Sequence, residues 1–338
     1  MTTDLQKHRI AMIGAGSWGI GLGALAHRKG HDVVLWEFRP DVCDELNRTH
    51  LAPKLLPDFE IPKELRFTSN LAEAMDGAEL LILVVPSHTM RTVAKQMSSH
   101  NLTAPIVSAT KGLELKTHLR MSQVIADELP EYRHGKIAAL SGPSHAEEVV
   151  KDFPTSVVVA CENVELAHEV QHLLSGSTFR IYASADVIGV EMAGALKNVI
   201  AVAAGVSDGL GFGDNTKGML MTRGLVEITR LGVKFGGQSS TFSGLSGLGD
   251  LITTCMSQHS RNRYVGDQLG RGRKLEEILR DMTMVAEGVN ATFAAVEMGE
   301  QVGVEMPIAQ AMYDVMFAGK EMRQVALELM LRKLKRED

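Results

Sequence analysis

The run Gly14-Ala15-Gly16-Ser17-Trp18-Gly19 follows directly on the apolar segment Ile10-Ala11-Met12-Ile13 and opens a helical stretch, Ile20 to Lys29, that closes at Gly30. A strand, a G-x-G-x-x-G turn and a helix in that order are compatible with few folds. The first glycine permits a tight turn and the second lets the backbone approach a pyrophosphate. The third lets helix and strand pack closely, and the helix N-terminus faces the negative charge. The segment predicts a dinucleotide site on Gly14, Gly16 and Gly19. A glycine-rich turn in an unrelated α/β fold is the plainer alternative, which the strand and helix on either side disfavour.

The rest of the first half repeats the same alternation. Asp32–Trp36, Leu80–Val85, Pro105–Ala109 and Lys136–Leu140 read as strands buried on both faces, the mark of a parallel sheet covered by helices. Ser156–Val159 and Phe179–Tyr182, with a helical Val164–Leu174 between them, should extend that sheet. The stretch from Phe38 to Leu65, broken by four prolines, predicts a helix and loop near an adenine end. After Tyr182 the pattern is helical to the end, including Asp186–Ala204, Gly218–Leu231 and Ile308–Phe317, and the charged tail Arg332–Asp338 reads as a solvated helix end. The expected fold is α/β: a Rossmann-like, doubly wound, mostly parallel sheet over 1–190, joined to an all-helical substrate and catalytic domain over 191–338.

At 338 residues the chain is long enough for two cores, and 45% hydrophobic with 22% charged residues is ordinary for a globular protein. A net charge of −6 argues against nucleic acid or an anionic membrane as partner and leaves room for a local basic pocket around a small phosphorylated ligand. Cys43, Cys161 and Cys255 are odd in number and widely spaced, which fits free thiols in a reducing compartment and suggests no metal site. The start, Met1 to Lys7, has no apolar signal core, and apolar runs such as Leu80–Val85 are too short to span a bilayer. A soluble cytoplasmic protein without membrane insertion is expected.

Two cofactor preferences are open. Glu37 ends the second strand, eighteen residues after Gly19, where a carboxylate accepts from the adenosine ribose and repels a 2′-phosphate, favouring NAD. Arg39 is placed to grip that phosphate in NADP, with Phe38 flat against the adenine. Ligands of open α/β sheets bind outside the carboxyl ends of the strands. There Val85 runs into Pro86-Ser87-His88, Ala109 into Thr110-Lys111-Gly112, and Leu140 into Ser141-Gly142-Pro143-Ser144. Lys111 is the expected substrate contact, against the alternative of a surface lysine in a loop.

In the second half, Ile188 to Ala203 is apolar nearly all round, as a buried central helix would be, and Lys197 is out of place in it. A buried ammonium needs a partner, and its lowered pKa suits proton transfer to a carbonyl oxygen as hydride arrives at carbon. The competing reading is a lysine snorkelling from the helix side. Asp250, after a glycine-rich turn, either caps a helix or pairs with Lys197. His259-Ser260-Arg261-Asn262-Arg263 offers a phosphate cradle, or simply a solvated helix start.

With these motifs in order, the chain resembles the NAD(P)-dependent sn-glycerol-3-phosphate dehydrogenases of the bacterial type nearly end to end. The resemblance is carried by the Gly14–Gly19 turn, Val85-Pro86-Ser87-His88, Thr110-Lys111-Gly112-Leu113-Glu114, Ser141-Gly142-Pro143-Ser144, Leu196-Lys197-Asn198-Val199, Gly247-Leu248-Gly249-Asp250-Leu251, Ser260-Arg261-Asn262 and Val285-Ala286-Glu287-Gly288. It implies that Lys197 is the proton donor and acceptor, and that Lys111, Gly142, Ser144, Asp250, Ser260, Arg261 and Asn262 contact the substrate with it. Ser17, Trp18, Ala146, Val285 and Glu287 then fall at cofactor positions, with Lys111 and Arg261 counted for both ligands. It further implies reduction of dihydroxyacetone phosphate to sn-glycerol 3-phosphate for glycerophospholipid synthesis, by a homodimer. His145 departs from the aromatic residue many members carry, which touches only local packing. A β-hydroxyacid dehydrogenase would place an asparagine four residues after the lysine, where this chain has Ala201. A dinucleotide-sensing module without chemistry would have no need of Lys197, Asp250 and Arg261 together.

Overall fold

A computed structural model describes residues 6–132, 135–282, 285–334 and 336. The first residues of the Met1–Lys7 start, and Lys335, Glu337 and Asp338 of the charged tail, lie outside them. The described residues form two compact units, one running to Glu114 and over Leu119–Glu191, the other comprising Leu115–His118 and the chain from Met192 onward.

The first unit is built on β1 (Arg9–Ile13), β2 (Asp32–Trp36), β3 (Leu51–Ala52), β4 (Leu56–Glu60), β5 (Arg66–Thr68), β6 (Leu80–Leu83), β7 (Ile106–Ser108), β8 (Ile137–Ser141), β9 (Thr155–Ala160) and β10 (Phe179–Ser184). Eight of them form one sheet in the order β10-β9-β8-β7-β6-β1-β2-β5, parallel throughout except where β9 meets β8. Side chains alternate across a strand. Ile10, Met12, Leu35 and Ile82 therefore enter one apolar core, while Ala11, Ile13, Val34 and Leu81 enter another. Both faces are covered, which is why these strands are apolar without alternation. From β1 the chain runs outward through β2 to β5 and returns on the other side as β6. The reversal puts a crevice at the carboxyl ends of β1 and β6, where the glycine turn lies.

The Phe38–Leu65 stretch holds more structure than expected: a helix, Pro40–Thr49, then the antiparallel pair β3 and β4. The helix Val187–Gly209 corrects the expectation that apolar runs are too short to cross a bilayer, since its 23 residues pass by length and composition. It is instead a core helix, with 94% of its most apolar window buried. Its three charges are each paired. Glu191 accepts from Ser122 N at 2.8 Å and from Arg120 Nη1 at 2.5 Å, while Lys197 and Asp208 belong to networks described below. The tail is also corrected: the last helix, Met322–Met330, ends before Arg332, and Arg332–Leu334 are exposed beyond it.

Among the described residues the regular elements of the second unit are all helices, with Asp214–Lys234, Asp250–Met256, Arg261–Gly270, Glu287–Val302 and Pro307–Met316 the principal further ones. Glu227, buried on Asp214–Lys234, accepts the Ile308 and Ala309 amides, both at 2.9 Å, and so caps the start of Pro307–Met316. Burial pushes its carboxyl up to about 7, against the opposing pull of those two amides. A carboxyl raised above its unfolded value binds more protons folded than unfolded, so stability is full below about pH 4.5 and is lost as pH rises through 7. Glu227→Gln should flatten the fall in Tm between pH 5 and 8, a window worth on the order of 3 kcal/mol. Parallel thermal melts in which the Tm of both proteins falls equally across that range would overturn this.

Candidate functional site

The glycine turn is fitted to its place by contacts that exclude side chains. Gly14 has φ +122°, donates its amide to Trp36 O at 3.1 Å, and a Cβ there would lie 3.0 Å from the Val84 carbonyl. A Cβ on Gly19 would collide with the Gly14 carbonyl oxygen. Gly16 differs: its backbone is extended, it precedes helix Ser17–Arg28, and a Cβ on it would meet nothing within 4 Å. The first-turn amides of that helix have no partner within the helix and face this opening. Such a cradle, which a Cβ would partly fill, fits a pyrophosphate. The Trp18 ring packs tilted against Phe179, with ring centroids 6.5 Å apart, and Ala146 is buried near Gly21, so both shape this end by packing.

Glu37, Phe38 and Arg39 are brought together. The buried Glu37 carboxylate takes Arg39 Nε at 2.7 Å and Arg39 N at 3.2 Å through one oxygen. The same guanidinium lies 5.2 Å above the exposed Phe38 ring. Hydrogen bonding to Glu37 raises the Arg39 pKa further. The two groups read from sequence as rivals are thus an ion pair.

Further along the rim, Lys111 Nζ donates to Gly142 O at 2.8 Å and reaches Ser144 Oγ at 3.5 Å, and Ser144 Oγ donates to Gly142 O at 2.9 Å. Gly142 is required at this point, with φ +138° and a Cβ position 2.9 Å from Val157 Cα. The Lys111 loop is held by a bidentate bond from Arg91 to Glu114, at 2.7 and 2.8 Å, with Glu128 on the other side of the guanidinium at 2.8 Å. Such a fork fixes orientation as well as distance.

In the second unit the buried Lys197 Nζ donates to Thr254 Oγ1 at 2.6 Å and pairs with Asp250 Oδ1 at 2.9 Å. Thr254 Oγ1 in turn donates to the same oxygen at 3.2 Å, closing a triangle. Asp250 is the first residue of helix Asp250–Met256 and Gly249 precedes it, so the capping alternative fails. The turn before it, Leu245–Gly249, is a single π-helical turn, and a Cβ on Gly247 would lie 2.5 Å from Phe242 Cα. Thr254 was not anticipated, although it stands four residues after Asp250 and therefore on the same helix face. Cys255 beside them is buried, and desolvation pushes its thiol up to about 12, which keeps it inert.

Ser260 and Asn262, expected as substrate contacts, each also make bonds within the chain. Ser260 Oγ caps helix Arg261–Gly270 by accepting from Arg263 N at 3.2 Å. Asn262 Nδ2 donates to Asn198 Oδ1 at 2.9 Å and its Oδ1 accepts Gly288 N at 2.9 Å, so one amide ties three segments. Arg261 stays exposed, with Nη1 anchored on Val285 O at 3.0 Å, and Glu287 opens helix Glu287–Val302 beside it. Among the described residues no group of three or more His, Cys, Asp or Glu could hold a metal ion.

Residues 9–167 match the family described as NAD-dependent glycerol-3-phosphate dehydrogenase N-terminus, and residues 186–327 the corresponding C-terminus. The chain is 49% identical to a glycerol-3-phosphate dehydrogenase [NAD(P)+] of an Exiguobacterium strain, over 97% of this chain and 96% of the relative. It is 47% identical to the Chlorobium limicola protein of that name, over 97% and 99%. A crystal structure of the Coxiella burnetii glycerol-3-phosphate dehydrogenase superposes with a TM-score of 0.91 at 36% identity, covering 96% of this chain and 99% of that one. Motifs, fold and likeness along the whole length agree, and the chain belongs to the NAD-dependent glycerol-3-phosphate dehydrogenase family.

Proposed function

We propose that this chain reduces dihydroxyacetone phosphate to sn-glycerol 3-phosphate, reversibly, with NADH or NADPH. The observation that carries the reading is the buried Lys197–Asp250–Thr254 triangle. When bound at the glycine turn, the nicotinamide cofactor supplies the hydride. Lys197 gives its proton to the carbonyl oxygen as that oxygen gains charge, and takes it back in the reverse direction. Asp250 offsets the cost of burying the ammonium, and two of the ammonium's three donors spent on Asp250 and Thr254 fix its direction. Arg261 takes the substrate phosphate, and Lys111, Gly142, Ser144, Ser260 and Asn262 are the further substrate contacts. Residues 1–190 are the dinucleotide-binding domain and 191–338 the substrate and catalytic domain. The enzyme works as a cytoplasmic homodimer, without membrane insertion, and supplies glycerophospholipid synthesis.

Absorbance at 340 nm, on mixing protein, reduced cofactor and dihydroxyacetone phosphate, tests the activity; no oxidation with either cofactor rejects it. The Glu37–Arg39 pair sets the balance between cofactors. Glu37→Gln should release Arg39 and shift the ratio of kcat/KM toward NADPH by about tenfold, and Arg39→Ala should shift it toward NADH by a similar factor. An unchanged ratio in both variants would remove the pair from cofactor choice.

A further inference from the structure

The helix that carries Lys197 and the helix that opens with Arg261 touch backbone to backbone. Methyl groups on Gly205 and Gly209 would collide with the carbonyl oxygens of Arg263 and Asp267. From the other side, methyls on Gly266 and Gly270 would meet those of Val202 and Val206. The contacts Asn198 to Asn262, Val202 to Gly266 and Val206 to Gly270 keep a constant offset of 64 residues, so the helices run side by side in the same direction. A slip of one residue would drive a side chain into backbone, so this crossing has one register.

Asp208 stands at the far end of the crossing, in the last turn of Val187–Gly209, where the helix dipole disfavours a carboxylate. It is retained against that cost by two cations, Lys217 Nζ at 2.6 Å on one oxygen and Arg263 Nε at 2.7 Å on the other. Arg263 lies in the first turn of the second helix, two residues after Arg261, and its Nη1 also donates to Ser257 O at 3.4 Å in the preceding loop. One carboxylate on the lysine helix therefore grips the start of the helix that presents Arg261. Asn198 and Asn262 grip the same turn from the other side.

We propose that Asp208 is a positioning residue: through Arg263 it holds Arg261 at a fixed distance from Lys197, so that the phosphate and the reacting carbonyl of one substrate are met together. The proposal rests on the reading of Arg261 as the phosphate contact. Loss of the clamp loosens the phosphate end and leaves the lysine triangle intact, so it is read in substrate affinity before turnover. Asp208→Asn should raise KM for dihydroxyacetone phosphate about tenfold, and the competitive Ki of inorganic phosphate likewise, because sub-ångström displacement of an anchoring group is enough for that. kcat and the KM for NADH should stay within about threefold, and Asp208→Glu should recover part of the loss. Wild-type constants in Asp208→Asn, or a lowered kcat with substrate constants unchanged, overturn the proposal. If Asp208→Asn does not fold, Arg263→Gln breaks the same link from the other helix and is read by the same criteria. A wild-type chain inert toward dihydroxyacetone phosphate overturns both this proposal and the activity, whereas an active wild type with indifferent variants overturns the positioning role alone.

Discussion

Lys197→Ala is expected to lower kcat by about a thousandfold while leaving the Kd for NADH, measured by fluorescence titration, close to wild type. The magnitude is that of a general acid removed from a developing alkoxide. The cofactor constant should hold because the proposed pyrophosphate and adenosine contacts, the Gly14–Gly19 turn and the Glu37–Arg39 pair, are untouched by the substitution. The same variant should lose stability, since it removes the paired cation from the buried Asp250 carboxylate, and breaking a buried pair from one side costs about 3–5 kcal/mol. That cost must be separated from the chemistry. Adding Asp250→Asn to Lys197→Ala removes the buried charge whose cation was lost, so the double variant should melt above the single one and remain as inactive. A single variant with near-normal turnover would take the proton transfer away from Lys197. A double variant no more stable than the single would show that the triangle is not held by its charges.

Much of this was legible in the residues, for reasons that also mark where reading stopped. The strands β1 and β2 were found nearly to the residue because a strand buried on both faces is apolar without interruption. The edge strand β5 was not, since Arg66-Phe67-Thr68 is three residues long and polar at its ends. Lys197 was conspicuous as a charge in an apolar helix, but the end of that helix was placed too early. Gly205 and Gly209 look like helix breakers in isolation, and only the second helix shows why they are there. Ser260 and Asn262 have the side chains of ligand contacts, and the bonds they also make within the chain, to Arg263, Asn198 and Gly288, were not foreseen. Residue type cannot separate those roles, because the same donors and acceptors serve either. Thr254 and Asp208 were passed over for a related reason: one is an ordinary helix residue and the other an acid at an unfavourable helix end, and each acquires meaning from a partner distant in sequence.

Arg261→Ala should raise KM for dihydroxyacetone phosphate by about fiftyfold, the worth of a charge-assisted bidentate contact of roughly 2–3 kcal/mol, with a smaller effect on kcat. Its side chain is exposed yet not loose, because Nη1 is committed to the Val285 carbonyl at 3.0 Å. That anchor aims the rest of the guanidinium and reduces the side-chain entropy lost when a phosphate is taken. Lysine in its place would supply charge but could not hold a carbonyl and a phosphate with one planar fork, so Arg261→Lys should recover only part of the affinity. Weakening by added salt gives a further reading, since an exposed charge contact is screened where the buried Lys197 pair is not. The wild-type KM should therefore climb with ionic strength and the Arg261→Ala KM should climb less. An unchanged KM in Arg261→Ala, or an identical salt dependence in the two proteins, would place the phosphate elsewhere and leave the Ser260–Arg263 turn with a purely structural role.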